Sequence, residues 1–199
     1  FRQNPQTLVE WVKESIQIND ALNPQRIPVM PIGVWKARVA DKHSRNIFFV
    51  SLARSLDIPA RLESVTGKVQ YEANNQWVDV DFEQSTFTVA PQGSVVASYK
   101  ASKVLEDPRY ATHFTVAKIL PSGRLQTLNF RSTGVDMGGG NSWSAVLKQP
   151  YTLDEGNYIL VTGTRMAKGN VLSKVTSFHV APGKTTKVDL VMRENTDDI

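Results

Sequence analysis

Apolar positions along this chain change period part of the way through, from helical spacing to alternation. Leu8, Trp11, Val12 and Ile16 stand three and four apart, which gathers them on one face of a helix. Thr7 and Glu10 have the spacing of a capping box, so this helix is expected from about Thr7 to Asn19. Asn23-Pro24 marks a turn, and the prolines that follow favour extended chain, so 32–39 is expected to be extended or loop-like. A second helical pattern spans about Ser44 to Leu56. There Ile47, Phe48, Leu52 and Leu56 share a face, while Phe49 and Val50 widen it enough to predict a largely buried helix. Asp41 or Ser44 can cap its start, and Asp57 stands where a left-handed residue must end it.

Beyond Asp57 the period falls to two. Residues 62–66, 68–72 and 76–82 read as strands, with Asn74-Asn75 as the hairpin turn and Val78 and Val80 alternating with Asp79 and Asp81. After Gln84 the helical signal is gone. Strands are expected at 113–120, 125–131, 143–147, 158–166, 175–180 and 187–192, divided by Gly- and Pro-containing turns such as Pro121-Ser122-Gly123, Gly138-Gly139-Gly140-Asn141 and Pro182-Gly183-Lys184. The expected fold class is α+β: a small α+β module over 1–86 and an all-β antiparallel sandwich over 87–199.

Composition narrows the function classes. Hydrophobic residues make up 41% and charged residues 21%, as in ordinary globular proteins. The net charge of +4 is spread among acidic neighbours with no dense basic run, so no nucleic-acid partner is expected. The chain has no cysteine, which removes disulfides and thiolate chemistry. His43, His113 and His179 are far apart and lack metal-ligand spacing, so neither a metal nor a cofactor is expected. No apolar run approaches the length of a membrane span. The start at Phe1 and the polar close at 193–199 suggest a piece of a longer protein.

The segment from Arg38 to Arg61 carries a more specific signal. Arg38-Val39-Ala40-Asp41-Lys42, the helix that follows, and Ile58-Pro59-Ala60-Arg61 resemble the core of the transglutaminase-like (papain-like) superfamily. In that family the pattern is Arg-x-Gly-Asp-Cys, a helix, then Gly-Ile-Pro-Ala-Arg. Asn75-Gln76-Trp77-Val78-Asp79-Val80-Asp81 is similar to the strand that bears the family's catalytic Asp. The resemblance covers roughly 33–84. It implies that Lys42 stands in the Cys slot, Thr66 or its neighbour Gly67 in the His slot, and Asp81 in the acid slot. Two of the three catalytic residue types are therefore missing. In the second half, Tyr151 to Val161 resembles the leucine-glycine-tyrosine corner of immunoglobulin-like and transthyretin-like bacterial modules.

Other chemistry at these positions is weaker. Ser44 with His43 as its base would need two adjacent helical residues to point into one cleft, though they diverge by about 100°. Asp79 and Asp81 lie on one strand face, as a solvated edge does. Trp11, Trp35, Trp77 and Trp143 are expected as core or interdomain anchors, while Trp35 and Trp143, beside loop-like segments, could stack on a sugar. The candidate binding residues are Trp35, His43 and Trp143, and no catalytic residue is expected at Lys42, Thr66 or Asp81. The resemblance implies a non-catalytic binding or scaffolding fragment of a bacterial cell-envelope protein, outside the cytoplasm and from a larger lipoprotein, contacting peptide, protein or glycan. A hydrolase whose catalytic residues are not Cys or lie elsewhere, and a structural spacer, are the alternatives.

Overall fold

The computed structural model describes residues 1–25, 27–83, 90–103, 105–130 and 140–193. The chain is mixed α+β, and it divides into two compact units, Phe1–Val89 and Ala90–Ile199. The expected boundary between 86 and 87 falls within 84–89, outside the described residues.

The first unit opens with helix α1 (Pro5–Ser15). Pro5 sits at the first helical position, where its missing N–H costs nothing and its fixed φ suits the helix. The start is therefore earlier than expected, and Thr7 and Glu10 do not form a capping box. Thr7 instead donates its hydroxyl to the Asn4 carbonyl at 2.7 Å. The helix also stops sooner than Asn19. Ile16 is extended, and Gln17–Ile18 (β1) pairs in parallel with Val39–Ala40 (β2). Between them lie a 3-10 turn, Asp20–Leu22, and helix α2, Pro31–Ala37. The latter corrects the extended reading of 32–39: Pro31 is again a helix start rather than a breaker.

Helix α3 (Lys42–Ser55) is the buried spine of this unit, with Phe48, Phe49, Val50 and Ala53 in the core. It ends as the sequence predicts, with Asp57 left-handed at φ 56°. Strands β3 (Ala60–Leu62), β4 (Val69–Ala73) and β5 (Gln76–Asp79) form an antiparallel sheet in that order. Asn74 and Asn75 both take positive φ, as a two-residue hairpin turn demands. The expected strand at 62–66 is shorter because Glu63 closes a turn, accepting from Val65 N at 3.0 Å and Thr66 N at 2.6 Å. Leu8, Val12, Val34, Phe49, Val69 and Tyr71 share one core with α3.

The second unit holds β6 (Gln92–Ser98), β7 (Phe114–Ile119), β8 (Leu125–Thr127), α4 (Trp143–Val146), β9 (Tyr151–Asp154), β10 (Gly156–Arg165), β11 (Val171–Val180) and β12 (Thr185–Asp189). They make a four-stranded sheet, β11-β10-β7-β8, and a three-stranded sheet, β12-β6-β9. All pairings here are antiparallel except β6 with β12. Burial alternates along β6 and β10, so each strand closes one face: Gly93, Val95 and Ala97 on β6, Tyr158, Leu160 and Thr162 on β10.

Residues 143–147 are not the strand expected from sequence. A one-turn helix forms because Trp143 N donates to Pro108 O at 2.7 Å and Ser144 N to Asp107 at 3.0 Å. The strand expected over 125–131 stops at Thr127, and Gly138 and Gly139 of the expected turn at 138–141 lie outside the described residues.

Candidate functional site at the start of helix α3

Asp41 precedes α3 and binds its first turn, accepting from His43 N at 3.0 Å and Ser44 N at 3.1 Å. Its second oxygen accepts from the Ser44 hydroxyl at 2.5 Å and from Asn23 Nδ2 at 2.7 Å. Burial alone would raise this carboxyl. The hydrogen bonds from Ser44, Asn23 and the two amides outweigh it and hold the pKa down at about 2. Asn23 also clasps the loop before α2, donating to Ile27 O at 2.8 Å and accepting from Ile27 N at 3.1 Å. Asp20 accepts from Lys42 N at 2.9 Å.

Ser44 is fully buried and has both its roles filled, donating to Asp41 and accepting from Val29 N at 3.0 Å. Its hydrogen-bond partners are a carboxylate and a backbone amide, not the imidazole that would activate a serine nucleophile. Lys42 is exposed, its amine 3.9 Å from Glu83. A polar cleft of about 390 Å³ is lined by Asp20, Asn23, Pro24, Asp41, Lys42 and His43.

Arg45, one position further, is the unusual group. Its side chain is 8% exposed, its guanidinium stacks 4.1 Å over the Phe82 ring, and its Nε has no hydrogen-bond partner. Glu83 stands 3.8 Å from NH1. Burial lowers the Arg45 pKa, against the pull of Glu83, Asp20 and Asp81.

The start of α3 and the segment bearing Asp81 lie on the same side of the unit, since Glu83 approaches both Lys42 and Arg45. Asp81 accepts from Glu83 N at 2.8 Å. The β4–β5 register pairs Gln70 with Asp79, and Val80 N donates to Val69 O at 2.8 Å. Lys68, just before β4, carries its amine to Asp79. Thr66, two residues earlier, is held in the Glu63 turn by hydroxyl and amide bonds of 2.6 Å. Asp79 is occupied by Lys68 and by Gln70 Nε2 at 2.7 Å, and Gln70 in turn accepts from Arg61 at 2.9 Å. Arg61 stacks 3.9 Å over Trp77. Asp79 and Asp81 thus have separate partners.

The three candidate binding residues have different surroundings. His43 is exposed at the start of α3. Trp35 on α2 is 42% exposed, but the Arg38 guanidinium lies 4.0 Å over its ring, and Trp11 stacks with it at 5.7 Å. Trp143 belongs to the second unit. There its Nε1 donates to Ala97 O at 2.7 Å and its ring meets Tyr99 edge-on, the contacts of a packing residue. Asp20, Asn23 and Arg45 were not legible as site residues, because their partners are distant in sequence.

Among the described residues no cluster of three or more His, Asp or Glu could hold a metal, and no helix is long and apolar enough to cross a membrane. Comparison with protein families, curated proteins and solved structures found no match.

Proposed function

We propose that this chain is a non-catalytic binding or scaffolding fragment of a bacterial cell-envelope protein, its first unit transglutaminase-like and its second immunoglobulin-like. One observation carries the reading. At the helix start where that family places its nucleophile, Lys42 is a solvated amine beside Glu83, and the neighbouring Ser44 hydroxyl is locked between Asp41 and Val29. A helix N-terminus stabilises a thiolate but disfavours an ammonium, so Lys42 gains nothing from the position a cysteine would use.

The return of the chain supports the family likeness, since Glu83 and Asp81 lie on the α3 N-terminal side of the unit. The second unit supports the immunoglobulin-like likeness through Tyr158, whose hydroxyl donates to the Asp154 carbonyl, four residues upstream, at 2.8 Å. That is the bond of a tyrosine corner. The envelope setting and the lipoprotein origin come from the same resemblance.

The direct test is incorporation of a fluorescent primary amine into a glutamine-donor protein, together with hydrolysis of that donor. The chain and a Lys42→Ala variant are expected to give the same background. Turnover above the variant would overturn the reading.

A further inference from the structure

Among the described residues, the four-stranded sheet of the second unit ends on β11, a ten-residue strand that pairs with β10 alone. Natural edges are commonly blunted by shortness, a bulge, a proline or a charged residue, lysine above all, and a lysine deters a basic strand but not an acidic one. The other edge strands of this unit are short: β8 has three residues, β9 four and β12 five. β11 has neither bulge nor proline; its register with β10 runs unbroken from Val171↔Arg165 to Val180↔Gly156. Val171 and Val175 lie on the same face of the strand and are 53% and 63% exposed. Lys174, exposed, points to the other face.

The charge carried by the β10–β11 hairpin itself, 156–180, is of one sign. From Gly156 to Val188 the chain carries Arg165, Lys168, Lys174, Lys184 and Lys187, and no Asp or Glu. Arg165 ends β10, Lys168 lies in the β10–β11 turn, and Lys174 sits on the edge strand itself. A second copy of the chain docking here would bring two basic hairpins together, which like-charge repulsion opposes. A strand of opposite charge has no such cost.

We propose that the β11 edge takes an extended acidic peptide as a fifth strand of this sheet. Main-chain hydrogen bonds supply the affinity, and alternate side chains supply the choice of partner. Apolar residues of the peptide pack on Val171 and Val175, and the carboxylates between them face Lys174. The proposal rests on the second unit alone, so its failure leaves the reading of the first unit standing.

The test uses the full chain and a fluorescein-labelled ten-residue peptide of alternating Val and Glu, read by fluorescence anisotropy. Saturable binding is expected, weakened roughly tenfold by Lys174→Glu, as loss and reversal of one interfacial charge implies. The same peptide N-methylated at alternate backbone positions keeps its charge and cannot pair as a strand, so it is expected not to bind. Should the variant fold poorly, the N-methylated arm decides the matter with the unaltered chain. No binding by the Val-Glu peptide, equal binding by the N-methylated one, or an affinity unchanged in a folded Lys174→Glu protein overturns the proposal. A dimer in light scattering that Lys174→Glu strengthens overturns it too, because the occupant is then a second copy.

Discussion

The Ser44 hydroxyl donates to the Asp41 carboxylate at 2.5 Å, and both groups are buried. This bond ties the cap of α3 to its first turn, and Asn23 extends the tie to the loop that precedes α2. The polar cluster at the start of α3 therefore ties three segments of the first unit together. Its energetics follow from the Asp41 carboxylate.

The Asp41 pKa is lowered from about 3.8 to about 2 in the folded chain. A lowered carboxyl contributes stability that is present above the unfolded value and lost as pH falls through the folded one. The expected contribution is about 2 kcal/mol at neutral pH, fading between roughly pH 4 and pH 2. Asp41→Asn should lower the urea midpoint at pH 7, and most of the gap to the unaltered chain should be gone at pH 2. A gap undiminished at pH 2 would mean that packing, not charge, sets the loss.

Arg45 gives a prediction of opposite sign. It is buried, its Nε is unpartnered and its nearest carboxylate is 3.8 Å away. Removing a poorly paired buried charge and filling its volume with an apolar chain is often neutral or stabilising. Arg45→Met should therefore leave stability unchanged or raise it by about 1 kcal/mol. A clear loss in chemical denaturation would show that Glu83 or the Phe82 ring offsets more of the burial cost than their geometry suggests.

Phe48 tests the core. It is buried on α3 and packs beside Trp35, their ring centroids 6.5 Å apart. Truncation to Ala should cost about 3–5 kcal/mol, the range for large-to-small changes in a core. A loss under about 1 kcal/mol would mean that the neighbouring α2 segment collapses into the space.

Features set by a few adjacent residues were legible in the sequence. Asp41 as a cap, Asp57 as a left-handed stop and Asn74-Asn75 as a hairpin turn all depend on backbone needs that those residue types meet locally. Helix α2 was hidden because Pro31 signals both a break and a first helical position, and only the neighbours in space decide which. Trp143 looks like a strand residue, yet it sits in a helical turn held by Pro108 and Asp107, some 35 positions away in sequence. Strand β6 was missed because Gly93, Ser94, Ala97 and Ser98 carry little of the β-branched signal. At the site, Lys42 and Asp41 were readable from a helix start, whereas Arg45's burial depends on Phe82 and Glu83, which only the fold brings near.

Gly93 gives the last prediction, because β6 was the strand that sequence did not reveal. A Cβ built there would lie 2.2 Å from Ala181 O and 2.9 Å from Lys184 O, both backbone atoms of the β11–β12 turn. That turn is pinned to β6 by Gly183 N to Gln92 O at 2.8 Å and Ser94 N to Lys184 O at 2.9 Å, so it cannot move aside without breaking the parallel β6–β12 pairing. Gly93→Ala should therefore cost about 3 kcal/mol, the upper end of the usual range for overpacking, because the atoms it meets are backbone. Gly123→Ala is the control. Its Cβ meets nothing within 4 Å, and only its φ of 78° opposes a side chain, a strain of about 1–2 kcal/mol. Thermal melts of the two variants should separate clearly, with Gly93→Ala the lower. If they melt together, the β11–β12 turn yields without cost, and the close approach at Gly93 does not hold β12 against β6.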